Sequence, residues 1–341
     1  MTTGRPSEPH PAATVVVLRP GADGPEVLLT RRPASMAFAA DVYVFPGGRV
    51  DPTDADPRLV AGSARSAREA ALALGGNLPG HEALALHHAA IRELFEEAGV
   101  LLADEPPGGA GVAGARLALL AGASLADAVA DLAGSVHLAG RLRTDRLAPI
   151  AHWTTPPFMP RRYSTWFFVA DLPAGAEPTF ADGEVVDHRW LGPRAALEQV
   201  AAGEIGMWVP TTSVLERLVE TGATTAAEVA ERIRLGPVSP PRVDEVSAAI
   251  VRFTFGAVGA LPGRSGIATL HGRRELVLVD PGDPSDAALD AIAEVVSRRE
   301  GAIRAIVLTA SDPDHAAAAE AIAIPSEIPI LVAPGAGRHL P

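Results

Sequence analysis

The chain has 341 residues, a formal net charge of −12 and no cysteine, which excludes disulfides, thiol nucleophiles and thiolate zinc sites. Its length suits two domains, its 48% hydrophobic content suffices for ordinary cores, and its acidic balance disfavours a nucleic-acid partner, which calls for a basic face. A phosphate-bearing substrate stays compatible with that balance, because a bound cation can supply the positive charge locally.

The opening residues 1–12 are polar and Pro-containing and read as a disordered leader without the apolar core of a signal peptide. No run approaches the roughly 18 apolar residues of a membrane span, so a soluble, cytoplasmic protein with no membrane partner is expected. Strands are expected at Ala13–Arg19 and Glu26–Thr30, then a loop over 31–40, then Tyr43-Val44-Phe45 running into Pro46-Gly47-Gly48. Pro before two glycines predicts a non-repetitive turn with room for close backbone approach. Residues 51–80 are Pro/Gly-interrupted, with one short helix expected near Ala64–Leu74. A long helix follows over Glu82–Ala98 with Gly99 as its stop. Beyond an Ala/Gly-rich stretch with a helix near 125–133, strands are expected at Ile150–Trp153, Thr165–Asp171 and 184–191. Helices then cover Ala195–Ala202, Thr212–Glu220 and Ala226–Ile233. Residues 236–244, opening on Gly-Pro-Val-Ser-Pro-Pro, read as a linker. After it come strand Ala248–Phe255, strand Leu276–Asp280, helix 285–298, strand 305–309, helix 316–322 and strand 330–333. That alternation predicts an α/β unit with parallel pairing.

The chemistry concentrates in Ala89–Val100, A-A-I-R-E-L-F-E-E-A-G-V. Offsets of three and four residues place Glu93, Glu96 and Glu97 on one helix edge. Like charges so placed repel by a few tenths of a kcal/mol per pair, on the order of 0.2–0.5. A divalent cation gives a reason to collect them, and hard oxygen ligands suit Mg²⁺ or Mn²⁺. A merely acidic surface helix is the other reading of the same residues.

F-P-G-G (Phe45–Gly48) followed by R-E-L-F-E-E-A-G-V resembles the Nudix hydrolase family, whose motif is G-x5-E-x7-R-E-U-x-E-E-x-G-U with U apolar. The second half is complete in Arg92, Glu93, Leu94, Glu96, Glu97, Gly99 and Val100, while the first half departs. Counting from Gly48, the Glu position falls on Asp54, and 37 residues separate it from Arg92 instead of seven. An insertion there is similar to the acyl-CoA diphosphatase branch, as are W-T-T-P (Trp153–Pro156) and R-Y-S-T-W-F-F (Arg162–Phe168). The resemblance implies an α/β fold, a Nudix α/β/α sandwich with a mixed sheet over 13–235, with 51–80 as an insertion. It implies a Mg²⁺- or Mn²⁺-dependent hydrolase that cleaves a diphosphate, with CoA or acyl-CoA as leading substrate. NADH, ADP-ribose or another nucleotide is the alternative, and a non-enzymatic nucleotide sensor is the other class. It implies metal ligation by Glu93, Glu97 and Glu96, with the Gly47 carbonyl, and catalytic roles for Arg92, Glu93 and Glu97, Glu93 being a candidate base. Glu184 sits where related enzymes supply a further carboxylate, an exposed strand-end Glu being the alternative. Gly48, Arg161 and Arg162 are substrate-binding candidates. Leu28-Leu29-Thr30-Arg31-Arg32 matches the L-L-T-x-R opening of a CoA signature and adds Arg32, although the rest of that signature fails at Met36, Ala37 and Asp41. His87 and His88 are read as helix-surface or packing residues.

Residues 245–341 resemble the front of a metallo-β-lactamase fold, making a smaller C-terminal α/β half-domain. L-V-L-V-D-P-G leads to A-I-V-L-T-A-S-D-P-D-H, where that family carries T-H-x-H-x-D-H. Ala310 and Asp312 stand at the two leading histidine positions, and Asp314 and His315 remain. A metal-free remnant is therefore expected, since zinc hydrolases need about three protein ligands per metal; a weak site from Asp280, Asp312, Asp314 and His315, and a metallo-β-lactamase-type activity, are the alternatives. Covering the first domain, forming a homodimer, or fronting a longer chain are the three roles left for this region.

Overall fold

The computed structural model describes residues 8–31, 42–76, 78–104, 110–130, 132, 142–155, 161–180, 185–233, 241–255, 267–283, 286–309, 313–316, 318–323 and 328–332. The chain forms two compact units: His10–Ala151 with Thr165–Leu235, and Gly236–Pro341 grouped with Met1–Pro9 and His152–Ser164.

The first unit opens with β1 (His10–Gly21) and β2 (Gly24–Arg31), an antiparallel hairpin in register Leu18↔Val27. β1 begins within the expected leader, because Ala12 already pairs with Arg49. Two short strands follow, β3 (Tyr43–Val44) and β4 (Gly47–Arg49). The two glycines expected in an irregular turn thus lie in a strand, opposite Thr14 and Ala13. The insertion holds a 3-10 turn (Pro52–Ala55), α1 (Pro57–Ala61) and α2 (Ala67–Ala73), two helices in place of the single one expected. Ser66 caps α2 reciprocally with Glu69, which fixes its start at Ala67, three residues later than expected.

Next come α3 (Gly80–Ala98), α4 (Ala110–Leu120), α5 (Leu125–Ala130), β5 (Ala148–Thr154), β6 (Tyr163–Asp171) and β7 (Asp187–Leu191). The unit ends in α6 (Pro193–Ala201), α7 (Val209–Thr221) and α8 (Ala226–Arg232). The strands make a seven-stranded sheet in the order β3-β2-β1-β6-β5, with β4 added to β1 and β7 to β2. Val15 and Val17 lie in the α3-side core while Val16 and Leu18 are also buried. β1 therefore reads as an unbroken apolar run because both sheet faces are covered. α6 lies against β2, and Arg217 of α7 donates to the Ile150 carbonyl at 2.7 Å. Helices on both faces make the expected α/β/α sandwich.

α3 packs on β1 and β4 on one side and on α2 and the 3-10 turn on the other. Its middle, Ala83–Arg92, is accordingly buried all round, His87 and His88 included, so neither histidine is a surface residue. Gly99 ends it in the left-handed conformation (φ 67°), its N–H meeting the Phe95 carbonyl. His87 sits 4.8 Å from the Phe168 ring, and its Nδ1 donates to the Ala83 carbonyl at 2.7 Å, while Nε2 has no partner among the described residues. Burial pushes its pKa from 6.5 down to about 3, against the pull of the Ala83 bond. The unfolded chain therefore takes up this proton first. His87 contributes its full stability above pH 6.5 and loses it as pH falls toward 3. The slope approaches about 1.4 kcal/mol per pH unit. Thermal melts at pH 7 and pH 5 are expected to differ by several degrees, and His87→Leu to shrink that difference; an unchanged difference in the variant would discard this account.

The second unit holds β8 (Arg242–Ser247), β9 (Ile250–Thr254), β10 (Ile267–His271), β11 (Glu275–Val279), α9 (Asp286–Arg298), β12 (Ala302–Leu308), α10 (Pro313–Ala316), α11 (Ala319–Ala323) and β13 (Ile330–Val332). The strand expected at 248–255 is β9, and β8, which was not expected, pairs with it and occupies part of the expected linker. Its valines are exposed, so the hydrophobic pattern carried no signal, and pairing with β9 makes it a strand. Parallel pairing holds for β11-β12-β13, while β8 through β11 pair antiparallel, β8 with β9 and β10 with β11 across short turns. The helix expected at 316–322 is two short ones. Ala288, Ile292 and Val295 of α9 cover the sheet face bearing Val251, Phe253, Leu270, Leu278 and Ile306. No helix among the described residues is long and apolar enough to cross a membrane.

Candidate active site

The centre of the site is the Arg92 guanidinium. Its Nε and Nη2 bond the two oxygens of Asp54 at 2.9 and 3.0 Å, in a fork that matches a carboxylate. Nη1 bonds Glu93 at 2.8 Å and Glu96 at 3.0 Å, and Nη2 also donates to the Arg49 carbonyl at 2.8 Å. Asp54 is fully buried, and its Oδ2 additionally caps the 3-10 turn by accepting the Asp51 N–H at 2.7 Å. The insertion thus folds out of the way and returns the displaced carboxylate to its helix.

Three carboxylates around one guanidinium leave the cluster short of positive charge. Burial of Arg92 works against its charge, yet the bonds to Asp54 and the nearby Glu93 and Glu96 hold its pKa above the ordinary arginine value. Glu93 is pushed up to about 7, first by burial and then by Glu96 and Asp54, with Arg92 opposing. Gly48 lies directly against it: a Cβ there would stand 2.4 Å from Glu93 Oε1. Gly47 presents its N–H, not its carbonyl, to Glu97 Oε2 at 3.3 Å. Glu93, Glu96 and Glu97 are all half-buried along this edge. Among the described residues no three His, Asp or Glu side chains are grouped closely enough to hold a metal ion as they stand. The donor set does fit a hard divalent cation in chemistry: it is all carboxylate, lies on a rigid helix and lacks compensating charge.

Arg116, the lone charge in the apolar α4, was not foreseen as a site residue. Its Nη2 donates to the Glu96 carbonyl at 2.8 Å and its Nη1 to Thr179 Oγ1 at 2.6 Å, while the Thr179 N–H meets the Ala98 carbonyl. A cation at the last carbonyls of a helix opposes the helix dipole favourably. Of the other candidates, Arg32 and Glu184 lie outside the described residues. Arg161 is exposed, and Arg162 is buried in its own hairpin, donating to the Thr155 carbonyl at 2.9 Å. Asp312 and Ala310 lie outside the described residues. Asp280, at φ 52°, accepts the N–H of Thr309 at 2.7 Å and its hydroxyl, which ties the end of β11 to the end of β12.

The crystal structure of a NUDIX hydrolase from Alicyclobacillus acidocaldarius matches 68% of this chain and 99% of its own, with a TM-score of 0.51 and 28% identity. The first unit has the Nudix fold. The acyl-coenzyme A diphosphatase NUDT19 of Homo sapiens is 33% identical to the chain over 232 residues, and that of Gallus gallus is 31% identical over 233. The matches cover 58% and 57% of this chain, and the chain spans 60% and 61% of those relatives. Residues 258–341 match the metallo-beta-lactamase superfamily, as their motif order implied. In the Nudix unit, Arg92, Glu93, Glu96 and Glu97 carry the motif's second half, and Asp54 stands at the Glu position of the first.

Proposed function

We propose that the Nudix unit is a metal-dependent diphosphatase that hydrolyses CoA or acyl-CoA to 3′,5′-ADP and (acyl-)phosphopantetheine. The observation that carries this reading is the Asp54–Arg92–Glu93/Glu96 cluster, which leaves net negative charge beside Gly47 and Gly48. Glu93, Glu96 and Glu97 would hold Mg²⁺ or Mn²⁺. When bound, such an ion supplies Lewis acidity at the diphosphate oxygens and acidifies water. Arg92 keeps Glu93 and Glu96 aimed at one point. Glu93, with a pKa near neutrality, can take the proton of a water attacking phosphorus. The P–O–P bridge then breaks, and the oxygen leaves with the second phosphate. The substrate preference draws on the likeness to the two acyl-CoA diphosphatases and on the insertion inside the motif.

Purified protein with Mg²⁺ is to be assayed on CoA, acyl-CoAs, NADH, ADP-ribose and dinucleoside polyphosphates, with products separated by chromatography. Release of 3′,5′-ADP from CoA or acyl-CoA above all other panel members is the expected result. Turnover confined to a different member would retire the CoA assignment while keeping the reaction class. No turnover of any member would remove both.

The two glycines separate stability from chemistry. A Cβ at Gly47 would stand 2.5 Å from the Ala13 carbonyl, a backbone atom that cannot yield without opening β1–β4. Gly47→Ala is expected to lower the melting temperature. At Gly48 the obstacle is the end of the Glu93 side chain. Gly48→Ala is expected to displace that carboxylate and cut kcat by about 10-fold or more, with the smaller loss of stability. The reverse order of melting temperatures would contradict this geometry.

A further inference from the structure

His88 belongs to no part of the Nudix motif, yet it joins the insertion to the carboxylate cluster. It is fully buried on α3, one turn before Arg92. Its Nδ1 lies 2.7 Å from the Asp54 carbonyl and its Nε2 lies 2.6 Å from Ser63 Oγ. A carbonyl only accepts, so Nδ1 carries the hydrogen. In the neutral ring, Nε2 then offers a lone pair to the Ser63 hydroxyl. The same hydroxyl hydrogen also faces the Leu59 carbonyl, 2.7 Å from Ser63 Oγ, so Nε2 and that carbonyl share it, the carbonyl accepting the Gly62 N–H as well. Burial, which lowers the His88 pKa, favours the neutral ring.

We propose that His88 is a positioning residue: it clamps the Asp54 backbone through Nδ1–H, that carbonyl fixes its tautomer, and Asp54 in turn holds the Arg92 fork. The consequence for turnover rests on the diphosphatase reading; the link from His88 to Arg92 does not. The histidine acts through Asp54 and Arg92 and touches no reacting atom. The insertion is therefore the structural wall of the site, joined to the helix by this imidazole.

Three measurements decide it. Nitrogen-15 NMR of the wild type is expected to show His88 as the Nδ1–H tautomer; the Nε2–H tautomer would overturn the proposal. Hydrogen exchange at Arg92 Nε–H is expected to accelerate about 10-fold or more in His88→Leu, with kcat lowered about 10-fold or more and KM within about twofold. His88→Asn, whose amide nitrogen superposes on Nδ1, is expected to restore slow exchange and most of kcat. Wild-type exchange in His88→Leu, or equal impairment of the Asn and Leu variants, would overturn it. If the wild type hydrolyses no diphosphate, the functional reading falls, and the tautomer and the Arg92 exchange still decide whether His88 positions the fork.

Discussion

Glu97→Gln and Glu93→Gln are each expected to reduce kcat on the preferred diphosphate by about 10²-fold or more, without a lower melting temperature in metal-free buffer. The loss follows from removing a carboxylate from a set that has three on one helix edge and none to spare. The retained stability follows from the same count. Asp54, Glu93 and Glu96 all face the one Arg92 guanidinium, so a neutral isostere at Glu93 relieves repulsion among carboxylates. Added Mg²⁺ separates a ligand role from a packing role. A cation that binds the native state at 100 times its Kd stabilises it by about 2.7 kcal/mol. The wild type is expected to gain melting temperature with Mg²⁺, and Glu97→Gln to gain little. Equal gains, together with equal turnover, would remove the metal assignment from this edge.

Arg92→Ala is expected to destabilise the first unit by about 3–5 kcal/mol, because it strands a buried carboxylate without its cation. Asp54 is fully enclosed and Arg92 almost so, with side-chain exposures of 0% and 10%. Arg92→Lys is expected to recover only part of the loss, since an ammonium cannot bond both Asp54 oxygens and the Arg49 carbonyl at once. Asp54→Ala is expected to cost a similar amount, and the double variant less than the sum of the two. Urea unfolding of the four proteins, read as a double-mutant cycle, measures the coupling. Additive losses would show that the fork does not act as a unit.

The cycle also tests how the insertion is used. In the sequence, Asp54 was the weakest member of the motif, one carbon shorter than the expected Glu and 37 residues from Arg92. The structure brings Asp54 to Arg92 despite both departures. The 3-10 turn Pro52–Ala55 presses against α3, so the shorter side chain reaches the fork at 2.9 Å. α1 and α2 absorb the intervening chain, and His88 and Ser63 fasten it.

Much of the site was legible before any fold. Carboxylates at offsets of three and four share a helix edge by helix geometry alone, and Gly99 after that run ends the helix by its conformational freedom. Strands with apolar or alternating patterns, such as β1 and β6, were recognisable because burial requires those patterns. β8 was not, since its side chains are mostly exposed and only pairing makes it a strand. Nor was Arg116, a single charge in an apolar helix whose partners are backbone carbonyls in another element. Local periodicity thus determined the acidic helix edge and its stop, and the resemblance to a family motif implied the reaction class. Counting from Gly48 pointed to Asp54, but only the tertiary structure decided that it reaches Arg92 across the insertion, which glycine faces Glu93, and which histidine fastens the insertion. Those are contacts between segments distant in sequence, set by how the insertion packs, and no spacing rule encodes them.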